Sequence, residues 1–311
     1  MAMPNKYHQI LALVGPTASG KTRLALSIAQ HFPVEIVNAD SLQLFRHLNI
    51  GTAKPTVDER IALVHNTLHH LPSHLPYHLI DVLDPSEEMN AAWYSRQAHK
   101  IMDNIFSRKR IPLLVGGAGF YLRALEHPPL DEEGYKNEKI QEGSYELIQK
   151  EDPEAAKWIH ENDRYRIARA TALLKKGIRP SELWKQTLAT QAHFKIQWIG
   201  LYVERQKLCK QIDSRVDWMF DHGLLEETEE VRQQFPQSAL RLKKTIGYRQ
   251  CLEILDHKAD RSQKIMEVKT QTRQYAKRQM TWFRKDRRIE WLDPENVLPH
   301  VGHWIDQMLS S

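Results

Sequence analysis

Gly15-Pro16-Thr17-Ala18-Ser19-Gly20-Lys21-Thr22 follows the apolar run Ile10-Leu11-Ala12-Leu13-Val14 and leads into Leu24-Ala25-Leu26-Ser27-Ile28-Ala29. The eight residues fill every fixed position of G-x-x-x-x-G-K-[ST], in the strand, turn and helix setting that gives the pattern its meaning. Two glycines let successive backbone N–H groups converge on one anion, and a helix starting near Lys21 turns its positive dipole end toward the same point. Lys21 adds a mobile cation, and the Thr22 hydroxyl suits a Mg²⁺ shared with phosphate oxygens. The stretch predicts a polyphosphate site and leaves open whether the phosphates belong to a nucleotide.

Working outward, the same grammar recurs at Val34-Glu35-Ile36-Val37, His78-Leu79-Ile80-Asp81-Val82 and Ile111-Pro112-Leu113-Leu114-Val115, short apolar runs separated by turn and helical residues. That alternation predicts an α/β fold with a P-loop-like parallel sheet. The last run ends in Gly116-Gly117-Ala118-Gly119, a second glycine-rich turn at the carboxyl edge, where open α/β sheets take ligands. From about 137 to 191 the pattern is almost purely helical, and Arg164, Arg166 and Arg169 are spaced for one face of a helix beginning near Asn162-Asp163. Residues 196–203 read as a strand returning to the sheet. Residues 206–285 are helical again, broken at Gly223, at Pro236 and around Gly247. The expected organisation is a core over 1–123, a helical insertion over 124–192, a return strand over 193–205, a basic helical segment over 206–287, and an edge strand with a helix over 288–311.

A chain of 311 residues with 41% apolar content reaches the size at which one core gives way to two lobes. No run approaches a membrane span, and the first residues lack both a signal sequence and a transit-peptide bias, so a soluble cytoplasmic protein is expected. Cys209 and Cys251 have no metal-ligand spacing and read as packing residues. The net charge of +5 and pI near 9.0 suggest a polyanionic partner, and the placement of the charge sharpens this. Arg241, Lys243, Lys244 and Arg249 flank Thr245-Ile246-Gly247-Tyr248, while Arg273, Lys277, Arg278, Arg284, Lys285, Arg287 and Arg288 crowd a segment containing Tyr275, Trp282 and Phe283. Cations interleaved with rings suit an RNA surface; an amphipathic helix with Met280 and Trp282 in the core is the competing reading.

Asp40-Ser41-Leu42-Gln43 follows the second strand, on the same sheet edge as the phosphate loop. A carboxylate there serves as a general base, a metal ligand or a cap for the next turn. Ile50-Gly51-Thr52-Ala53-Lys54-Pro55 reads as a loop bearing a hydroxyl and a charge. His65, His69, His70, His74 and His78 are interrupted by Pro72 and Pro76 and read as polar loop, not as a metal site. Trp93, Trp158, Trp184 and Trp218 fall in helical stretches and are expected in the core.

Taken in order, the phosphate loop, Asp40-Ser41-Leu42-Gln43, the run 50–55, His78-Leu79-Ile80-Asp81 with Asp84-Pro85, Val115-Gly116-Gly117, Gly247-Tyr248-Arg249-Gln250 and Ala276-Lys277-Arg278-Gln279-Met280-Thr281-Trp282 resemble the tRNA dimethylallyltransferases. The resemblance covers most of the chain. It implies transfer of a dimethylallyl group from dimethylallyl diphosphate to N6 of the adenosine 3′ of the anticodon, with Mg²⁺ as cofactor. On that reading Gly15 to Thr22 hold a leaving diphosphate and not ATP, Asp40 is the base, Lys21 and Thr22 assist departure, and Gly117 and Ala118 lie near the reacting groups. The tRNA anticodon stem-loop would meet Asp40, Ser41, Leu42, Gln43, Tyr165, Arg166, Arg169, Lys244, Thr245, Gly247, Tyr248, Arg249, Lys277 and Arg278. A monomer is expected.

The chain departs from the family in three places. Ala118 stands where Thr is common, Met89-Asn90 where Tyr-Ser is usual, and the segment 127–143 is short, leaving Lys136 and Lys139 as stand-ins for its arginine. Ala118 motivates one rival reading, a tRNA binder with a decayed site. Prenylation of a free adenine nucleotide, against which the basic stretch from Arg241 to Arg288 argues, and a small-alcohol kinase are the others.

Overall fold

In the computed structural model, residues 8–56, 59, 76–128, 143–189 and 194–310 are described. The elements in chain order are β1 (His8–Val14), α1 (Lys21–His31), β2 (Val34–Asn38), β3 (Tyr77–His78), α2 (Ala91–Ser107), β4 (Ile111–Gly116) and α3 (Gly119–Glu126). There follow α4 (Tyr145–Glu151), α5 (Pro153–Ala156), α6 (Arg164–Lys175), α7 (Pro180–Ala189), β5 (Phe194–Leu201), α8 (Arg205–Asp221) and α9 (Leu224–Gln234). The chain closes with α10 (Ala239–Lys244), α11 (Tyr248–Leu255), α12 (Arg261–Phe283), β6 (Glu290–Leu292) and α13 (Pro294–Ser310).

The six strands form one parallel sheet in the order β3-β2-β4-β1-β5-β6. Strands covered on both faces need continuous apolar runs, and β2, β4 and the second half of β1 are buried at every residue. One face packs Leu11, Leu13, Ile36, Leu113 and Ile199 against Ile28 of α1 and Val297, Val301 and Ile305 of α13. Strand order reverses beside β1, so the loops after β1, β2 and β4 share one carboxyl edge.

Contacts divide the chain into two compact units. The first comprises Met1–Met89, Gln97–Leu122 and Phe194–Ser311; the second comprises Asn90–Arg96 and Arg123–His193. The second unit thus takes in the start of α2, which periodicity in the sequence did not single out. Its core is Ile148, Ala155, Ile159, Ile167 and Ala170, and Asp163 caps α6 by accepting the Arg166 N–H at 3.1 Å.

Three expectations need correction. The strand foreseen over 78–82 stops at His78, because Leu79 and Asp81 take φ of 56° and 55° and turn the chain. Asn38 Nδ2 donates to the Leu79 carbonyl at 2.8 Å and holds that turn in place. Trp158, Trp184 and Trp218 are not core: they are 42%, 39% and 48% exposed. Trp158 lies against Trp184 with Arg123 over the latter ring, and Trp218 stacks on His222, so the rings find partners at the surface instead. The helical break between α11 and α12, at His257 with φ 55°, is a further difference. Cys251 is buried, as packing requires, and burial pushes its thiol up to about 12.

Candidate active site

The phosphate loop is shaped by backbone before side chains enter. Gly15 (φ 148°), Ala18 (φ 63°) and Gly20 (φ 91°) turn it, and Gly20 caps α1 without any side-chain hydrogen bond. The first N–H groups of α1 are left for an anion. Ser19 Oγ is buried and unpartnered, a donor awaiting an acceptor. Lys21 Nζ donates to the Pro16 carbonyl at 2.6 Å, and burial next to the Arg215 cation lowers its pKa to about 7. Ala18 packs on Leu208, Ile212 and Ala276, which seats the loop on α8 and α12.

One residue ties the two glycine-rich turns together. Gln279 of α12 accepts the Thr17 N–H at 2.8 Å and donates to the Gly117 carbonyl at 3.0 Å. The Ala118 N–H reaches the Ala39 carbonyl at 3.3 Å, and a Cβ on Gly116 would strike that same carbonyl. The three loops after β1, β2 and β4 therefore close on one another.

Asp40 stands at this junction, half-buried. Its Oδ1 accepts the Leu42 N–H at 3.0 Å, so the turn-capping role and an active-site role coexist in one carboxylate. Burial raises its pKa, opposed by the backbone hydrogen bonds it accepts and by the charges of Lys21 and Lys54. A cleft of ≈ 1070 Å³ runs from Ser19, Lys21 and Thr22 past Asp40 to Thr52 and Arg215. Arg215 was not singled out in the sequence. No ion pair or hydrogen bond engages it among the described residues, so its guanidinium is the second cation available to an anion in the cleft. Only its place on α8, seven residues after Leu208 on the helix that backs the loop, could have flagged it.

The other expected residues divide by burial. Ser41 and Leu42 are half-buried, and Gln43 is buried with Nε2 donating to the Thr52 carbonyl at 3.2 Å. Lys54 is buried and donates to the Phe45 carbonyl, Asn49 Oδ1 and Asp81 Oδ1, so its charge fixes the loop. Lys244, Lys277 and Arg278 are exposed, with Arg278 over the Tyr275 ring, and Arg249 is half-buried against Glu267 and Gln271. Tyr248 is a correction: fully buried, its hydroxyl donates to Glu227 at 2.7 Å, so its ring offers no surface for a base. Thr245 is likewise buried, its hydroxyl bonded to the Arg241 carbonyl, and Gly247 is the buried turn that opens α11. Arg241 is also committed, donating to the Pro85 and Glu87 carbonyls. Tyr165, Arg166 and Arg169 lie on α6 of the second unit, the first two exposed. His78 pairs with buried Glu35 at 2.7 Å. His65, His69, His70, His74, Lys136 and Lys139 lie outside the described residues. Among those described, no cluster of three His, Cys, Asp or Glu forms a metal cage, and no helix is long and apolar enough to cross a membrane.

Comparison with known proteins agrees along the chain. The sequence model of a family described as IPP transferase matches residues 43–286, and one described as isopentenyl transferase matches 8–69. A tRNA dimethylallyltransferase of Koribacter versatilis is 38% identical over 295 residues, spanning 91% of this chain and 92% of that protein. A second, from Geotalea uraniireducens, is 36% identical over 96% of both. The crystal structure of a tRNA isopentenylpyrophosphate transferase from Staphylococcus epidermidis superposes with TM-score 0.69 at 29% identity, covering 96% of this chain and 99% of that one. A eukaryotic dimethylallyltransferase acting on tRNA gives TM-score 0.77 at 27% identity, covering 92% and 74%.

Proposed function

The chain belongs to the IPP transferase family, and from that membership we propose that it transfers a dimethylallyl group from dimethylallyl diphosphate to N6 of the adenosine 3′ of the anticodon in tRNA. The observation that carries this reading is the junction itself: an anion loop, two cations and one desolvated carboxylate open into a single cleft.

An adenine amine is a weak nucleophile, because its lone pair is delocalised into the ring. As the new carbon–nitrogen bond forms, Asp40 takes the N6 proton and the allylic carbon–oxygen bond breaks. The departing diphosphate gathers charge, which the loop N–H groups, Ser19 Oγ, Lys21 and Arg215 are placed to meet. Thr22, at the start of α1 and lining the cleft, would hold a Mg²⁺ beside the diphosphate. When bound, the metal supplies Lewis-acid neutralisation of the leaving group. The target base must leave its stack, at a cost of a few kcal/mol, and exposed Lys244, Lys277 and Arg278 offset this through backbone contacts.

The test is mass spectrometry of nucleosides from unmodified tRNA bearing adenosine at that position, incubated with protein, dimethylallyl diphosphate and Mg²⁺. Prenylated adenosine is expected, and its loss on chelation of the metal. Bound tRNA with no product would overturn the transferase reading in favour of a decayed binder.

A further inference from the structure

Glu227 lies on α9, far in sequence from every loop of the cleft, yet its carboxylate gathers four hydrogen bonds in one place. Oε2 accepts the N–H groups of Asn49 and Ile50, each at 2.8 Å. Oε1 accepts the Gly51 N–H at 3.1 Å and the Tyr248 hydroxyl at 2.7 Å. Glu227 is 8% exposed and Tyr248 is 0%. Gly51 lies so close on the Tyr248 ring that a Cβ there would collide with it. Four donors fill the sites of a carboxylate, which leaves none for a substrate, so any role of Glu227 is exercised through what it holds.

What it holds is the start of the 49–54 loop, whose Thr52, Ala53 and Lys54 line the same cleft as the phosphate loop. Tyr248 in turn is the first residue of α11, between exposed Lys244 and half-buried Arg249, on a turn set by Gly247 at φ 93°. Gln250 closes that turn by accepting the Gly247 N–H at 2.9 Å, and Glu267 and Gln271 of α12 grip Arg249 and Gln250 from the other side. Hydrogen bonds together with the backbone of 247–250 therefore join the basic segment to one wall of the cleft.

We propose that Glu227 and Tyr248 are positioning residues that hold the acceptor-side wall of the cleft to the segment that meets RNA. This rests on the functional reading above. RNA drawn onto Lys244 and Arg249 bears on the Tyr248 turn, and the Glu227 carboxylate passes that constraint to Asn49, Ile50 and Gly51. The wall that must frame the adenine is thus most firmly set when RNA is in place. The donor side, built by the phosphate loop, does not depend on Glu227: Gln279 ties it to α12 separately.

The experiment compares wild type with Glu227→Gln and the milder Tyr248→Phe, each checked for native circular dichroism. Glu227→Gln exchanges an acceptor oxygen for an amide that cannot take the same N–H groups. Turnover on tRNA is expected to fall about tenfold or more, because small misplacements of a positioned reactant cost this much. Affinity for dimethylallyl diphosphate, read by calorimetry, is expected to stay within about twofold. Tyr248→Phe keeps the ring and is expected to lose about threefold in turnover. Anticodon stem-loop RNA is expected to slow amide exchange at Asn49, Ile50 and Gly51 in wild type, and not in Glu227→Gln. Equal RNA protection in both proteins, unchanged turnover, or a matching loss of donor affinity would overturn the proposal. Wild-type protein without any product would overturn the functional reading and this inference with it, whereas active wild type with an unaffected variant strikes the inference alone.

Discussion

The two walls of the cleft are made in opposite ways. The phosphate wall is one contiguous octapeptide whose turn is made by its own backbone, with Gly15, Ala18 and Gly20 at positive φ and a helix with no side-chain cap. It is then seated by Gln279 at Thr17 and by α8 and α12 on Ala18. The wall over 49–54, which lines the same cleft, depends more on side chains from distant segments. It is held by Glu227 and Tyr248 through one end, by Gln43 at Thr52, and by Asp81 and Phe45 through Lys54. A wall that recognises a generic anion can be local, because phosphate asks only for N–H groups and charge. If 49–54 frames the acceptor base as proposed, its precision depends on distant residues such as Glu227 and Tyr248.

That contrast can be broken at its centre, where Asp40 serves both walls. Asp40→Ala is expected to lower transfer by about 10²–10⁴-fold while leaving tRNA affinity near wild type, read by product formation and filter binding. Unimpaired turnover would remove Asp40 as the base. Because burial raises the pKa of this carboxyl, the acid limb of the rate profile should lie above the ordinary carboxylate range, with activity falling as pH drops through it.

On the phosphate wall, Lys21 at about 7 should gain a proton as the diphosphate binds, since only the charged form attracts the anion. Donor affinity is then expected to weaken by up to about tenfold per pH unit above that value, and Lys21→Arg should flatten the slope. A pH-independent affinity in wild type would mean that Lys21 is already charged in the empty site.

Gln279 sharpens the comparison from the side of stability. Gln279→Leu leaves the Thr17 N–H and the Gly117 carbonyl without their partner, and is expected to cost about 1–3 kcal/mol in denaturant unfolding. The smallest effect belongs to the exposed cations. Arg278→Ala should weaken tRNA binding modestly and reduce the slope of log affinity against log salt by about one. An unchanged slope would return that face of α12 to ordinary solvated surface.

The same division decides what the sequence could disclose. The phosphate loop, the strands β1, β2 and β4, and the breaks at Gly223 and Gly247 were legible because each is written in adjacent residues with a period or a turn signal. Glu227 was not, since one acid among the several of α9 carries no mark of its four partners. Tyr248 was misplaced for a related reason: an aromatic between basic residues looks like a stacking platform until its neighbours bury it. Lys54 read only as a charge on a loop, and its three acceptors come from 45, 49 and 81. The tryptophans of α7 and α8 failed in the other direction, because helical spacing says which face a ring shares but not whether anything covers that face.

Gln279 has one more consequence, for biosynthesis. The hydrogen bond it makes to Thr17 spans 262 positions, so on the ribosome the octapeptide emerges early and waits for almost the whole chain before its last partner arrives. β1 waits similarly for β5, its neighbour over the full strand. Contacts of such sequence separation close slowly and leave apolar edges open during synthesis. A nascent chain cut short before α12 would carry the complete anion motif and still lack the tie between its two glycine turns, which makes the arrival of α12 the step that arms the enzyme.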